Sequence, residues 1–587
     1  MKPTFNIILL ILAAITLSAQ KYDYNWYTGF DTNDTFDFPF GITHINFNTE
    51  NMNPKFVIDT NNHYDFAWTI NNMSDFDGNF LFNYNGAYLF NYNYNKILNG
   101  QLTMEKIWEV FNQLAVIIPS NSVRNEYNIF YKIYHSFGGE FAGSENILSS
   151  KISIDRLNEG KVNNKPKILV WDTIQLKGIN AVKHSNGRDW WILDFEYLNN
   201  KYYSLLMRDE TVMKNVKSST GLFYSKTVNQ TAFSKDGNYF AMASVHPHVD
   251  SIKSHISLFK FNRNTGMLSE LKYYYFDDIP SYHMIGVAFS PNSKFLYISR
   301  PTEILQVDLA DTTLNATQVA EYDGYRELLP NGFSTTSRFG LIQNAPDGRI
   351  YGTTSSNTQR NLFYINKPNL KGKASDVRQH AIKITMHANL PTFPNYRLGP
   401  IDGSPCDSLG IDNIPVAEFR YDQDTMNYRS IDFTNLSWYE PEEFWWDWDD
   451  GSQPYYTTVW DTSIIHTYAK DGIYEVCLRA KNKNGESTKC KKINIGITAT
   501  KDEANNPLID ITLSPNPMRE ILIIQVNDYL PEKMIMNLYD LQGNKIITKR
   551  LYEGSNIINT ESFTSGVYIV EVIERNRIVK SEKIVKI

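Results

Sequence analysis

Cysteine is scarce in this chain: Cys406, Cys477 and Cys490 are the only three in 587 residues. So small a set excludes a fold held by a disulfide framework. A strong charge bias is also missing, because 57 Lys and Arg stand against 64 Asp and Glu for a net charge of -7. Without a basic field, a nucleic-acid-binding role is disfavoured. Past the N-terminal segment, no apolar run approaches the ~18 residues that a transmembrane helix needs. The chain carries no Walker loop, no HExxH, no dinucleotide fingerprint and no nucleophile elbow.

Aromatic residues, by contrast, are abundant, with 37 Tyr, 33 Phe and 11 Trp. Such side chains suit a pleated, half-buried surface, so an all-β protein is expected. The length exceeds what one core can serve and predicts roughly three or four domains. Residues 1–19, MKPTFNIILLILAAITLSA, read as a secretory signal peptide: Lys2, an apolar stretch, then small residues.

Residues 20–406 repeat one pattern of apolar run, polar turn and alternating aromatics. The clearest copies are FSKDGNYFAMAS, FSPNSKFLYIS and NAPDGRIYGTT. Asp-Gly and Asn-Gly suit tight hairpin turns because they accept positive φ. Taking Asp77, Asn125, Asn186, Asp236, Asn292 and Asp347 as turn markers, the steps are 48, 61, 50, 56 and 55 residues. An all-β period in that range predicts a β-propeller of four-stranded blades. About seven blades are expected, the last closed by strands from both ends of the region. Two stacked sandwiches are the alternative, though sandwich turns come closer together. The run of motifs in this region looks like the propeller-like regions of Bacteroidota surface proteins, a resemblance of scaffold that specifies no activity.

Between residues 411 and 497 the texture changes to that of one small β-sandwich. Here the chain resembles the PKD (polycystic-kidney-disease) repeat. The family's WxFGDGS element stands as Trp446, Asp447, Trp448, Asp449, Asp450, Gly451 and Ser452, and its H-x-Y…G-x-Y-x-V element as His466, Tyr468, Gly472, Tyr474 and Val476. Asp449 replaces the usual Gly, and aspartate tolerates the left-handed backbone better than most residues, so the turn should be kept.

Residues 498–507 read as a polar linker. Residues 508–587 form another small β-unit, similar to the C-terminal sorting domain of type IX secretion cargo. The matching residues are Ser514, Pro515, Asn516 and Pro517; Tyr539, Asp540, Leu541, Gln542 and Gly543; Ser565, Gly566, Val567 and Tyr568; and Lys583 to Lys586. That resemblance implies export by the type IX secretion machinery, followed by attachment to the outer cell surface or release.

Candidate chemistry is thin. Started at Asp447, an EF-hand loop would put Gly451 at its fifth position and Thr458 at its twelfth, so that pattern fails. An irregular Ca²⁺ cage from Asp447, Asp449 and Asp450 stays open beside the plainer reading of a sharp turn. No other cofactor is expected. In a strand Trp446 and Trp448 would share the core face while Trp445 points outward, and with Trp438 it is a candidate ligand platform. His246 and His248, with Asp250 and His255, have a metal-like spacing but lack a third convergent ligand. His184, Ser185 and Asp189 hold the residue types of a triad, yet their adjacency favours a hydrogen-bonded turn. Cys477 and Cys490 flank the Asn484-Gly485 turn, which predicts a cross-strand disulfide and leaves Cys406 unpaired.

The leading expectation is a non-catalytic binding or adhesion protein with an extracellular glycan or protein ligand. The alternative is a polysaccharide hydrolase or lyase working at the propeller channel, and a structural part of a surface or motility assembly is a third reading. Convergent acids with His or Tyr in the channel would favour the enzyme, and plain polar residues the binder.

Overall fold

Every turn marked in the sequence closes a hairpin between the first two strands of a sheet. The protein is seen in a computed structural model that describes residues 20–30, 40–60, 66, 69–103, 112–138, 141–163, 165–197, 200–209, 211–219, 227–247, 252–278, 284–328, 334–355, 360–386, 389–424, 427–460, 463–496, 510–527, 534–540, 543–552, 554–574 and 577–587. The signal-peptide segment, the 498–507 linker, His248, Asp250, Leu541 and Gln542 lie outside the described residues. Among the described residues strands dominate, beside one 3-10 turn, Gly372–Ser375. Among the described residues no helix is long and apolar enough to cross a membrane.

Four sheets are consecutive antiparallel meanders of four strands, beginning at Asn180–Lys183, Thr227–Phe233, Gly286–Phe289 and Phe339–Asn344. A fifth begins at Asn71–Ser74, and a sixth is built from Ala115–Pro119, Glu126–Tyr131, Phe141–Ser153 and Lys167–Ile174. The first strands of successive sheets are neighbours, so the sheets circle a common axis as propeller blades. Turn chemistry explains the marker residues. Asp75 Oδ1 accepts the amides of Asp77 and Asn79, Asp236 Oδ1 that of Asn238, and Asp347 Oδ1 that of Arg349.

Among the described residues the seventh blade holds three strands, Asn25–Phe30, Gly41–Asn46 and Lys55–Asp59. Its inner position is taken by an extended stretch from the far end of the region, residues 389–396, which is not a strand. Asn389 accepts a bond from the Thr28 hydroxyl, while Thr392 donates its amide to Ile70. The closure therefore draws on both ends of the region, with one difference from expectation. Pro391 and Pro394 have no N–H to give a ladder, so the closing element is coil.

Asparagine and glutamine side chains stitch the inner strands together. Asn71 Nδ2 donates to Ala115 O, Gln113 Nε2 to Thr231 O, Asn180 Nδ2 to Thr231 O, and Gln230 Nε2 to Ile342 O. The cores lie between blades. Ala241, Ile256 and Leu258 pack against Val287, Leu296 and Ile298 of the next sheet.

Two sandwiches follow. The first pairs Phe419–Gln423, Ser430–Asn435 and Ser463–Thr467 in one sheet. Its second sheet runs Tyr455–Thr457, Glu443–Asp447, Gly472–Asn482 and Gly485–Ile495. The last sandwich has a sheet of Asp510–Ser514, Ile521–Asn527 and Gly554–Asn559 against one of Lys545–Arg550, Met534–Asp540, Gly566–Glu574 and Arg577–Lys586.

Candidate functional site

Opposite charges on the propeller and the middle sandwich interlock. Arg349, on the Asp347 hairpin, reaches Asp422 at 3.0 and 3.2 Å, Asp347 at 2.9 Å and Asn53 Oδ1 at 2.8 Å. From the sandwich, Arg420 Nε meets Asp422 at 2.9 Å and its Nη1 donates to the Asp347 carbonyl. Lys367 adds a 2.7 Å pair with Asp432. Asp347 and Arg420 are almost fully buried, and such a network fixes orientation because an unmatched charge left in it is costly.

That docking lays residues 434–441 across the propeller mouth from which the turns at Asp236, Asn292 and Asp347 emerge. A cleft of about 290 Å³ lies between them. At its base Arg397 forks onto Asp23 at 2.6 and 2.5 Å, and the guanidinium lies 5.7 Å from the Trp438 ring. Trp460 lines another side and gives its indole N–H to Ser437 O. Lys235 borders both this cleft and the channel beneath, and among the described residues no hydrogen bond or ion pair engages its ammonium. Burial lowers that ammonium to about 8; Arg397 pushes the same way and Asp23 opposes. Glu440, on the sandwich loop, is raised by burial and by Asp402. Behind the wall, burial and Arg263 bring Lys183 down to about 7, and Arg263 itself bonds backbone carbonyls, among them those of Lys183 and His184.

The channel is narrow, about 50 Å³, and amide-lined: Gln113, Asn180, Gln230, Gln343, Asn344 and Asn395 face it. Asp23 is its one carboxylate among the described residues, and Arg397 neutralises it.

The sequence-marked residues are placed as follows. Trp446 and Trp448 are buried and stacked at 5.6 Å, and Trp448 stacks on His466 at 4.5 Å. Trp445 faces outward, yet Arg479 covers it at 4.0 Å and Tyr456 flanks it at 5.1 Å. Trp438 is half-buried in the cleft. Asp449 does adopt φ 59°, and its Oδ2 accepts the Glu475 amide at 2.9 Å. Asp447 accepts the Asp449 amide, and Asp450 holds Ser452 and lies 2.8 Å from His466 Nε2. The three aspartates thus serve separate partners, and no group of three or more His, Cys, Asp or Glu fit to hold a metal occurs among the described residues. Gly472 opens the sixth strand of this sandwich, Gly451 takes φ 82°, and Tyr468 is buried. His184 and Asp189 belong to a buried turn in which Asn186 bonds both. His246 sits in a strand opposite Lys253. Cys477 and Cys490 are disulfide-bonded across the hairpin, and Cys406 is free.

In the last sandwich the scattered motif residues converge. Pro515 and Pro517 cannot donate, and the Asn516 side chain does so instead, giving Nδ2 to Lys583 O and accepting the Val585 amide. Asp540 pairs with Tyr568 across two strands, and its carboxylate holds Asn544 beyond Gly543. Tyr568 donates to the Thr564 carbonyl ahead of Gly566.

Family models match this chain in two places: a PKD domain over residues 412–497 and a secretion system C-terminal sorting domain over residues 512–587. The chain therefore contains a PKD domain and a type IX secretion sorting domain. That sorting domain marks it for export to the cell surface or secretion, through the type IX machinery. No curated protein matches the sequence. Among solved structures it is similar to a candidate 6-phosphogluconolactonase from Bacteroides uniformis, at 10% identity and TM-score 0.34, covering 63% of this chain and 98% of that one. PorZ, a surface component of the type IX secretion system of Porphyromonas gingivalis, aligns at 10% identity and TM-score 0.14, over 94% of this chain and 84% of that one. Sqt1 of Chaetomium thermophilum aligns at 11% and 0.31, over 71% and 96%. At these scores the likenesses carry no argument about activity.

The sequence reading missed the cleft. Lys235, Arg397 and Trp460 carry no motif, although the common position of the turn markers could have shown that Lys235 and Asn292 gather at one mouth.

Proposed function

We propose that the exported protein is a binding protein, with propeller and PKD domain acting as one recognition body, and that it does not catalyse turnover of its ligand. The channel lining supports this. Glycan hydrolysis by the usual route needs two carboxyl groups roughly 5–10 Å apart. Here the channel amides of Gln113 and Gln230 are committed to stitching blades, and the single acid among the described residues is held by an arginine. The cleft above offers aromatic faces and amides, the mix found in recognition pockets. Screening the full chain on glycan and protein arrays tests the reading: retained, unaltered ligands are expected. Time-dependent cleavage of a retained polysaccharide would overturn it. For the route, a chain ending at Thr500 should stop in the periplasm, and its appearance outside the cell would contradict the role of the sorting domain.

A further inference from the structure

The cleft beneath the PKD loop carries charge that its own walls leave unmatched. Lys235 stands where cleft and channel meet, bonded through its backbone carbonyl to Asn395 but, among the described residues, with no partner on its ammonium. The charged groups around it are Asp23 and Arg397, which satisfy each other, Asp236 on its own turn, and Glu440 on the sandwich loop. Asp236 spends its carboxylate on Ser234 and Asn238. A partly desolvated ammonium facing a cavity is a receptor for an anion, because a carboxylate would restore the hydrogen bonds that burial removed. The space available, about 290 Å³, is that of a single sugar ring, at the small end of ligand pockets. Trp438, Tyr439 and Trp460 supply the apolar faces on which such a ring lies, and Asn292, Asn369 and Asn395 border it with amides.

We propose that this cleft binds a carboxylated sugar residue, with Lys235 taking the carboxylate and the Trp438–Trp460 side receiving the ring. The inference rests on the binding reading above and gives it a ligand class. A free uronic acid and a uronate within a glycan share this chemistry.

Calorimetric titration of the full chain tests it, with D-glucuronate, a glucuronate-containing disaccharide, D-glucose and acetate as probes. Glucuronate or the disaccharide should bind at least about tenfold more tightly than glucose or acetate, since a charge-assisted bond and ring contacts both contribute. If the disaccharide binds and the monosaccharide does not, the source is a glycan; the converse marks a free acid. Lys235→Met should abolish the preference over glucose without lowering thermal stability, because it removes a half-buried charge that has no partner among the described residues. Lys235→Arg should retain part of it. In the unaltered protein, affinity for glucuronate should fall about tenfold per pH unit above about 8, as one proton must be held for binding. A preference for glucuronate over glucose that survives Lys235→Met, glucuronate binding that ignores pH, or affinity matched by acetate overturns the proposal. Should arrays yield a neutral ligand while all acidic sugars fail, the inference falls and the binding function stands; if no ligand of any class is retained, both fall.

Discussion

The PKD domain and the sorting domain differ in motif and in role, yet strand for strand they are the same construction. In each, the first, second and fifth strands form one sheet, and the fourth, third, sixth and seventh form the other in that order. In each, an aspartate at or just beyond the end of the third strand accepts the amide of the residue past a glycine: Asp450 holds Ser452 past Gly451, and Asp540 holds Asn544 past Gly543. The sixth strand begins Gly-Ile-Tyr-Glu-Val in one and Gly-Val-Tyr-Ile-Val in the other. Both tyrosines donate to the carbonyl four residues earlier, Tyr474 to Lys470 at 2.9 Å and Tyr568 to Thr564 at 2.8 Å, a bond of the tyrosine-corner kind. The contrast lies inside. The PKD core is a run of rings, Phe419, Phe433, Trp446, Trp448 and His466, while the sorting core is aliphatic, with Leu522, Ile524, Met536, Leu538 and Val570. Only the PKD domain has a disulfide. One topology thus accepts two chemistries, because turns and alternation set the strand order while core volume can be filled in more than one way.

The largest expected effect comes from the core. Trp446 is fully buried and touches Phe419, Phe433 and Trp448, so Trp446→Ala should cost about 3–5 kcal/mol. Leu538→Ala, on the matching third strand, should cost about 2–5 kcal/mol, toward the lower part because an aliphatic surround relaxes more readily. Native-state hydrogen exchange in the full-length protein reads both at once, through strands Gly472–Asn482 and Gly566–Glu574. A change in protection that crosses from one sandwich to the other would show that the two do not fold independently.

The disulfide comes next. Cys477 and Cys490 are 13 residues apart and pair directly in the ladder. By the chain-entropy argument a loop of that size is worth about 3 kcal/mol. Reduction, or a double Cys→Ser change, should lower protection in the PKD hairpin by about 2–3 kcal/mol and leave the sorting domain unchanged. Equal loss in both would remove the distinction drawn between them.

How much of this could be read beforehand depends on whether the determinant is local. Asp-Gly and Asn-Gly turns act within four residues, and at the two markers without glycine Asn125 and Ser293 take the positive φ themselves, so all six propeller markers fall at hairpins between first and second strands. The disulfide was legible for the same reason: Asn482 pairs with Gly485, and counting outward from that turn brings Cys477 opposite Cys490. Asp449 too announced its left-handed backbone. The cleft was hidden because Lys235, Arg397, Trp438 and Trp460 lie far apart and meet only when two domains dock through Arg349, Arg420 and Asp422. The closing segment was half legible, since its position followed from the blade count but its two prolines deny it a ladder.

The tyrosines offer a finer test of the shared topology. Each hydroxyl makes a bond to a backbone carbonyl at the start of its strand, so Tyr474→Phe and Tyr568→Phe should each cost about 1 kcal/mol. Similar values, measured by the same exchange experiment, would mark the corner as a common device. The surroundings differ: Tyr474 stacks with Tyr468 at 4.3 Å, and Tyr568 with Phe563 at 5.3 Å. A gap well beyond ~1 kcal/mol between the two would assign the hydroxyl a role in only one domain.

The smallest effect concerns the turn aspartate and pH. Burial alone would raise the Asp450 carboxyl, but the Ser452 hydroxyl and amide and the His466 ring together hold it below its ordinary value. A carboxyl depressed on folding stabilises the folded state above its unfolded value near 3.9 and loses that contribution as pH falls toward the folded value. Protection of the PKD strands should therefore decline below about pH 4, and Asp450→Asn should flatten that decline while costing about 1 kcal/mol or less at neutral pH. His466 gives the substitution a second consequence: its ring stays stacked on Trp448 but loses the carboxylate opposite Nε2. The sorting-domain turn at Asp540 is held by the Asn544 amide and side chain, so its response sets a carboxylate bonded to amides beside one that faces a histidine. An Asp450→Asn protein whose acid sensitivity is unchanged would place the acid-labile group elsewhere in the PKD domain, with the buried Glu418–Lys491 pair as the next group to substitute.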